Sequence, residues 1–303
     1  MPTGPFAPTE SPLPALRVDL PRARGRKPNV RGLCVPERGL ALVSVLWALS
    51  ILSLIAASII STGTLSATIE RNALRRAQAN AAADAAIALG IVGLLDPRTE
   101  SQRRLDGVRQ TVSFAGTEIE VSIQDQNGLI DLNEADVSLL RGLFASAGLK
   151  ADEAARFAGR IIDWRTGGDI ANFSDYWSKG LHYGPRSGPF QSVDEVKLIP
   201  GMTPEVFGHI APALTVHSHQ PSVDRNIATR ETLLAVPGMD QQQAEAIVTE
   251  RRSGGTAGFA FFASGRAVSL RAVLENRGRE VRKELIVRFT GERARPYMVL
   301  AWN

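Results

Sequence analysis

The sequence predicts an α+β fold. A long N-terminal helix lies against an antiparallel sheet, interrupted by a large all-α insert with helix-hairpin-helix-like units. Three observations predict it. A charge-free stretch, Leu40–Ile69, runs directly into an alanine-rich one that ends at Asp96-Pro97. Apolar and polar residues alternate at 111–123 and again after Ala267. Between them the turn Pro-Gly-Met occurs twice, at Pro200 and Pro237, 37 residues apart. The length of 303 residues suits one large or two modest domains. With 44% hydrophobic and 22% charged residues, the chain is neither wholly disordered nor polytopic. The single cysteine, Cys34, excludes an intramolecular disulfide framework and a multi-cysteine metal site.

Residues 1–39 form a basic leader. They carry seven of the 35 Lys+Arg, three of the 31 Asp+Glu and eight of the 17 prolines. The rest of the chain is balanced at 28 basic and 28 acidic residues, so the whole net charge of +4 sits in the leader. Residues 40–61 then read as a transmembrane helix, apolar to Ile60 apart from four serines. A basic segment before it and a neutral chain after it place the N-terminus in the cytoplasm and the bulk outside. The join runs Glu37-Arg38-Gly39-Leu40. An ordinary signal-peptidase site near Ser61-Thr62-Gly63 remains an alternative. A lipid anchor on Cys34 fails, because Cys34 precedes the apolar segment and follows Leu33.

From Glu70 to Leu95 few β-branched residues and no proline predict that the helix continues, with Ala73, Ala77, Asn80 and Asp84 as the face against a sheet. Thr111–Phe114 and Ile119–Ile123 read as strands joined at Gly116-Thr117, with Val121 and Ile123 on one face. A helix capped by Asp131 or Asn133 follows, with Leu139, Leu140, Leu143 and Phe144 inward, then a helix over Lys150–Trp164. Ser192–Leu214 and Ala228–Arg252 echo one another. In each, an acid-capped helix, a Pro-Gly turn and a second helix succeed one another. Val268–Glu275, Arg279–Thr290 and Met298–Trp302 are strands again. Residues 62–128 and 266–303 are thus expected to complete one α/β domain around an α-helical insert at 129–265.

With these residues in place the chain resembles the minor pseudopilin K family of type II secretion systems (general secretion pathway protein K). Four features carry the likeness: Arg38-Gly39 before the apolar helix; Asp131-Leu132-Asn133-Glu134; Ile161-Ile162-Asp163-Trp164 with Gly188-Pro189-Phe190 and Ser192–Met202; and Asn226-Ile227-Ala228-Thr229. The resemblance implies a pilin-like fold. It also implies a role at the tip of the pseudopilus, initiating assembly with other minor pseudopilins and supporting protein export across the outer membrane. A prepilin peptidase would recognise Arg38, cut after Gly39 and methylate Leu40. The protein would sit in the inner membrane as a single-pass protein with a periplasmic soluble domain. Ser44 stands where most pilins have glutamate, and lack of that glutamate is characteristic of the K class. The leader is long for the family, so translation is expected to start further in.

Family members can bind calcium in a loop after the Asp-Trp pair. Here that stretch reads Arg165-Thr166-Gly167-Gly168-Asp169, and Phe173 stands where a glutamate is expected. Asp169 and Asp175 remain, with Asp163 nearby, short of the oxygen count a hard cation needs. No cofactor is therefore expected, and calcium only near Asp169 and Asp175.

The alternative is a membrane-anchored helix-hairpin-helix DNA-binding protein of the competence type. DNA-binding hairpins usually read Gly-apolar-Gly, which lets backbone N–H groups approach a phosphate. Here they read Gly201-Met202-Thr203 and Gly238-Met239-Asp240, so no nucleic acid is expected, although Arg251 and Arg252 follow the second. No nucleotide-binding or hydrolase motif points to an enzyme. His217-Ser218-His219 reads as an exposed linker, and Trp164, Tyr176 and Trp177 as core or interface aromatics.

Overall fold

The computed structural model describes residues 40–96, 104–167, 176–252, 264–276 and 279–303. Helix α1 spans Leu40–Leu95. Chain packing divides within it, into residues 1–66 and 67–303. In the first unit every side chain from Ala41 to Ile59 is exposed.

In the second unit α1 lies on a five-stranded sheet of order β1-β2-β5-β6-β7. The strands are β1 (Asp106–Phe114), β2 (Thr117–Asp125), β5 (Ala267–Asn276), β6 (Arg279–Phe289) and β7 (Tyr297–Trp302), all antiparallel. Alternation decides the faces. Ile119, Val121, Ile123, Val268, Leu270, Ala272, Leu285, Val287 and Phe289 point at α1 and are buried. The opposite face carries the exposed pairs Arg109–Glu120, Arg271–Glu284 and Arg282–Glu280.

The face that α1 buries differs from the expected one. Ala79, Ala83, Ala86, Ile87, Ile91 and Leu94 are buried, whereas Ala73, Ala77 and Asn80 are exposed. Asp84 lies at the border and meets Lys283 of β6 at 3.3 Å. The larger side chains Ile87, Ile91 and Leu94 set the phase, because burying them removes more apolar area than burying alanines. Gly90 permits the close approach: a Cβ there would stand 2.6 Å from the Leu270 side chain.

Between β2 and β5 the chain is mainly helical. Its elements are β3 (Ile130–Asp131), α2 (Val137–Ser146), α3 (Ala151–Thr166), α4 (Pro204–Ile210), β4 (Leu214–Thr215), α5 (Arg230–Ala235) and α6 (Gln241–Arg252). β3 and β4 form a two-residue parallel ladder. Leu139, Leu140, Leu143 and Phe144 of α2 join Phe157, Ile161 and Trp164 of α3 in a second core. The cap of α2 is Asp136, which accepts from the Leu139 amide at 2.8 Å, not the expected Asp131 or Asn133. Asp131 is buried instead, accepting from the amides of Asn133 and His219 and from the Ser218 hydroxyl. Asn133 clasps both backbone groups of Phe190.

The His217–His219 segment is thereby tied down, and Ser218 is buried rather than in an exposed linker. Trp164 and Tyr176 are core residues, while Trp177 is exposed.

Candidate assembly surfaces

The expected processing site is Arg38, Gly39 and Leu40. Arg38 and Gly39 lie outside the described residues, and Leu40 is the first residue of α1. Ala41–Ile59 has mean hydropathy 2.3, and none of it is buried. At 1.5 Å per residue it is about 28 Å long, enough for the hydrocarbon layer. Its serines do not oppose this. The Ser44 hydroxyl donates to the Ala41 carbonyl at 2.9 Å and that of Ser50 to Leu46 at 2.8 Å, so these polar atoms are satisfied within the helix.

The two hairpins close in the same way. Met202 N–H donates to the Ile199 carbonyl, with Gly201 at φ 85°. Met239 N–H donates to the Val236 carbonyl, with Gly238 at φ 79°. Only glycine takes that left-handed conformation without strain.

Neither turn is built like a phosphate site. Thr203 accepts from the Val206 amide at the start of α4. Asp240 accepts from the Gln243 amide at 2.7 Å, while Gln243 accepts from Asp240 N–H. This reciprocal cap fills the first turn of α6 with the chain's own carboxylate, where a phosphate would otherwise bind.

Arg251 is buried, and its guanidinium donates to the carbonyls of Ala228 and Arg225. Burial pulls its pKa below the usual guanidinium value. It fastens the second hairpin and is not available to a phosphate. The DNA-binding alternative gains no support from this geometry.

Asp169 and Asp175, the candidate calcium positions, lie outside the described residues. Among the described residues no group of three His, Cys, Asp or Glu is placed to hold a metal. Among the described residues the surface includes two grooves. One, of about 520 Å³, lies on the polar sheet face beside Arg109, Glu118, Glu120, Glu275 and Glu280. The other, of about 580 Å³, lies between α2 and the second hairpin. Neither lining contains a histidine, cysteine or lysine.

The feature that sequence reading missed is the outer side of α1. Leu74, Leu89 and Val92 are 60%, 44% and 62% exposed. With Gln78, Ala81, Ala85 and Ala88 they follow i, i+3 and i+4 steps and form an uncharged stripe opposite the buried face. A helix apolar on both sides is normally covered on both. The signal was present in the periodicity, but alanines on every side of the helix blurred it. A second exposed apolar set, Met298, Val299 and Trp302, lies on β7 at the sheet edge.

Residues 120–219 match the family model of the type II secretion system, protein K. That stretch covers most of β2, then α2, α3 and the first hairpin, and stops before the second. No curated protein matches the chain in sequence. Its structure is similar to a chain in the crystal structure of the GspK-GspI-GspJ complex from the enterotoxigenic Escherichia coli Type 2 Secretion System. The TM-score is 0.50 at 12% identity, over 78% of this chain and 98% of that one. At that identity the likeness speaks for the fold.

Proposed function

We propose, from the premise that the chain carries the protein K domain of the type II secretion system over residues 120–219, that it works as a minor pseudopilin. It would stand at the tip of the pseudopilus, initiate assembly with the other minor pseudopilins and so support export across the outer membrane. The observation that carries this reading is the second apolar face of α1, Leu74 to Val92, which a lone protein would not leave in water. A subunit whose α1 packs on its own sheet with one face and on other subunits with the other needs such a helix. The structural neighbour's complex with GspI and GspJ supports partners of the same kind here.

In biogenesis, prepilin peptidase cuts after Gly39, methylates Leu40 and removes the basic leader together with Cys34. The Ala41–Ile59 segment holds the protein in the inner membrane, with the N-terminus cytoplasmic and a pilin-like domain and its helical insert in the periplasm. A bulky insert suits a terminal position, because burial inside a filament would require space on every side.

N-terminal sequencing of the chain purified from membranes tests this. The expected first residue is an N-methylated Leu40, and Gly39→Ala leaves the longer precursor on a gel. A chain beginning near Leu65 overturns the reading, as does an unchanged mature size in the variant.

A further inference from the structure

The geometry points to a second helix position on this sheet, over β7, filled by the uncharged helix of one partner pseudopilin and gripped by Trp302. This rests on the pseudopilin reading above and adds where the partner lies.

The strand register sets the floor of the position. Tyr297 pairs with Phe289, Val299 with Val287 and Trp302 with Leu285, and those three β6 residues all point at α1. One residue separates Tyr297 from Val299, but two separate Val299 from Trp302. The register shift opposite Ile286 and Val287 absorbs the extra residue. All three β7 side chains therefore stand on the α1 side of the sheet. Tyr297 packs against the core, yet Val299 and Trp302 remain 47% and 55% exposed.

Distances fix what covers them. At the level of Trp302, which pairs through Leu285 with Leu270, α1 lies over β5, with Gly90 against Leu270. β7 lies two strands away, about 10 Å at the usual strand spacing. Packed helices are about 8–10 Å apart. A helix laid beside α1 thus sits over β7, touching Val299 and Trp302 below and, at its side, the flank of α1 that carries Ala88 and Leu95 beside the outer stripe. The contact is continuous with the surface already assigned to assembly.

Charge favours this flank over the other. By helical spacing Glu70 and Asp84 are the acidic residues on this side, and Lys283 neutralises Asp84 at 3.3 Å. By helical spacing the opposite flank carries Arg71 and Arg75, over a β1 floor that includes Gln110. The β7 side suits an uncharged partner helix rich in alanine and leucine. Strand addition to the β7 edge is the rival geometry. The register shift within β7 breaks the regular ladder that an added strand would need.

The test places a photo-crosslinking residue at Val92 or at Trp302 in the full chain, produced in membranes together with the other minor pseudopilins of its secretion system. The captured peptides are identified by mass spectrometry. The expected result is that both positions capture a helical peptide of the same partner. Trp302→Ala should lower capture at Val92 at least about tenfold, as loss of a central aromatic anchor does, and Trp302→Phe should retain most of it. Both variants should melt like the parent, because Trp302 is exposed. If Val92 captures a pseudopilin while position 302 captures nothing, a strand peptide or a second copy of this chain, the helix position over β7 is wrong and the assembly role stands. If neither position captures a pseudopilin, the assembly role falls and this inference falls with it.

Discussion

Two glycines in neighbouring helices should respond to the same substitution with opposite signs. Gly142 lies within α2 and Gly159 within α3. In an exposed helix interior, glycine to alanine gains about 0.8–1 kcal/mol, because the unfolded chain loses freedom. At Gly159 a Cβ meets nothing within 4 Å, so the gain should be realised. At Gly142 the Cβ would stand 2.0 Å from the Ala235 carbonyl oxygen and 2.9 Å from its carbon. Both atoms are backbone of α5, so no side-chain rotation relieves the clash. Restoring an ordinary contact requires the two helices to part by about 1 Å, against a core packed at crystal density. Overpacking of this kind costs about 1–3 kcal/mol, and the parted helices lose further contacts. We expect a net loss of about 2 kcal/mol or more for Gly142→Ala. For a unit of this size that lowers Tm by about 5 °C, while Gly159→Ala raises it by about 2 °C. Thermal unfolding of the full chain in detergent, followed by near-ultraviolet circular dichroism, reads both. A Gly142→Ala variant that melts at or above the parent would refute the close crossing of α2 and α5.

Two single side chains give further expected outcomes. Arg165 donates to the carbonyls of Leu132 and Ala135 at 2.8 and 2.9 Å, and Arg165→Lys should cost about 1–2 kcal/mol by urea unfolding, since an ammonium cannot span both. Asp136→Ala should cost about 1 kcal/mol and Asp136→Asn much less, because asparagine still caps. The Leu139 amide, and next the Ser138 hydroxyl, hold the Asp136 carboxylate below its ordinary pKa. The charge-dependent part of its contribution is therefore present above the unfolded value of about 3.9 and is lost as pH falls through the folded one. The gap between parent and Asp136→Asn in a pH series of melting curves should close at acid pH.

Strands and helices were legible where local chemistry sets them. The Val121/Ile123 alternation, the Pro-Gly turns and the stop at Asp96-Pro97 depend on neighbours in sequence, and each appears in the structure. β1 begins five residues earlier than its alternation suggested, because Asp106 and Gly107 have little strand preference of their own. There the paired Arg104 and Asp106, joined at 2.6 Å, bury a carboxylate that sequence alone would leave in a loop.

Long-range matters were not legible. The phase of α1 depends on which residues the sheet selects. Asp131 and Asn133 looked like caps, but they bond to residues 57 and more positions away. The apolar side of β7 needs the register shift, which no local pattern announces. Arg251 stands beside Arg252 at the end of a polar helix, and only the fold turns it inward onto two carbonyls.

The helical segment leaves the sheet at the end of β2 and returns at the start of β5, and one ion pair closes that gap. Asp125 is wholly buried, and Arg266 reaches it at 2.8 Å. Burial pushes the Asp125 carboxyl above its ordinary pKa. Arg266 and the Asn127 amide oppose that shift, while Asp224 adds to it. The direction sets the pH dependence. A carboxyl whose folded pKa is raised contributes most below its unfolded value of about 3.9 and loses that contribution as pH rises through the folded one. At neutral pH the buried charge is thus a liability that Arg266 offsets. Arg266→Ala leaves it uncompensated, and breaking such a pair costs about 3–5 kcal/mol. That loss should shrink as pH falls and Asp125 takes up a proton. Replacing both residues, with Asp125→Asn and Arg266→Ala, should restore much of the stability at pH 7, because the amide carries no charge to strand and still accepts from Asn127. Urea unfolding at pH 7 and pH 4 separates the cases. If Arg266→Ala costs the same at both, or if the double variant is no better than the single one, the ion pair does not close the segment onto the sheet.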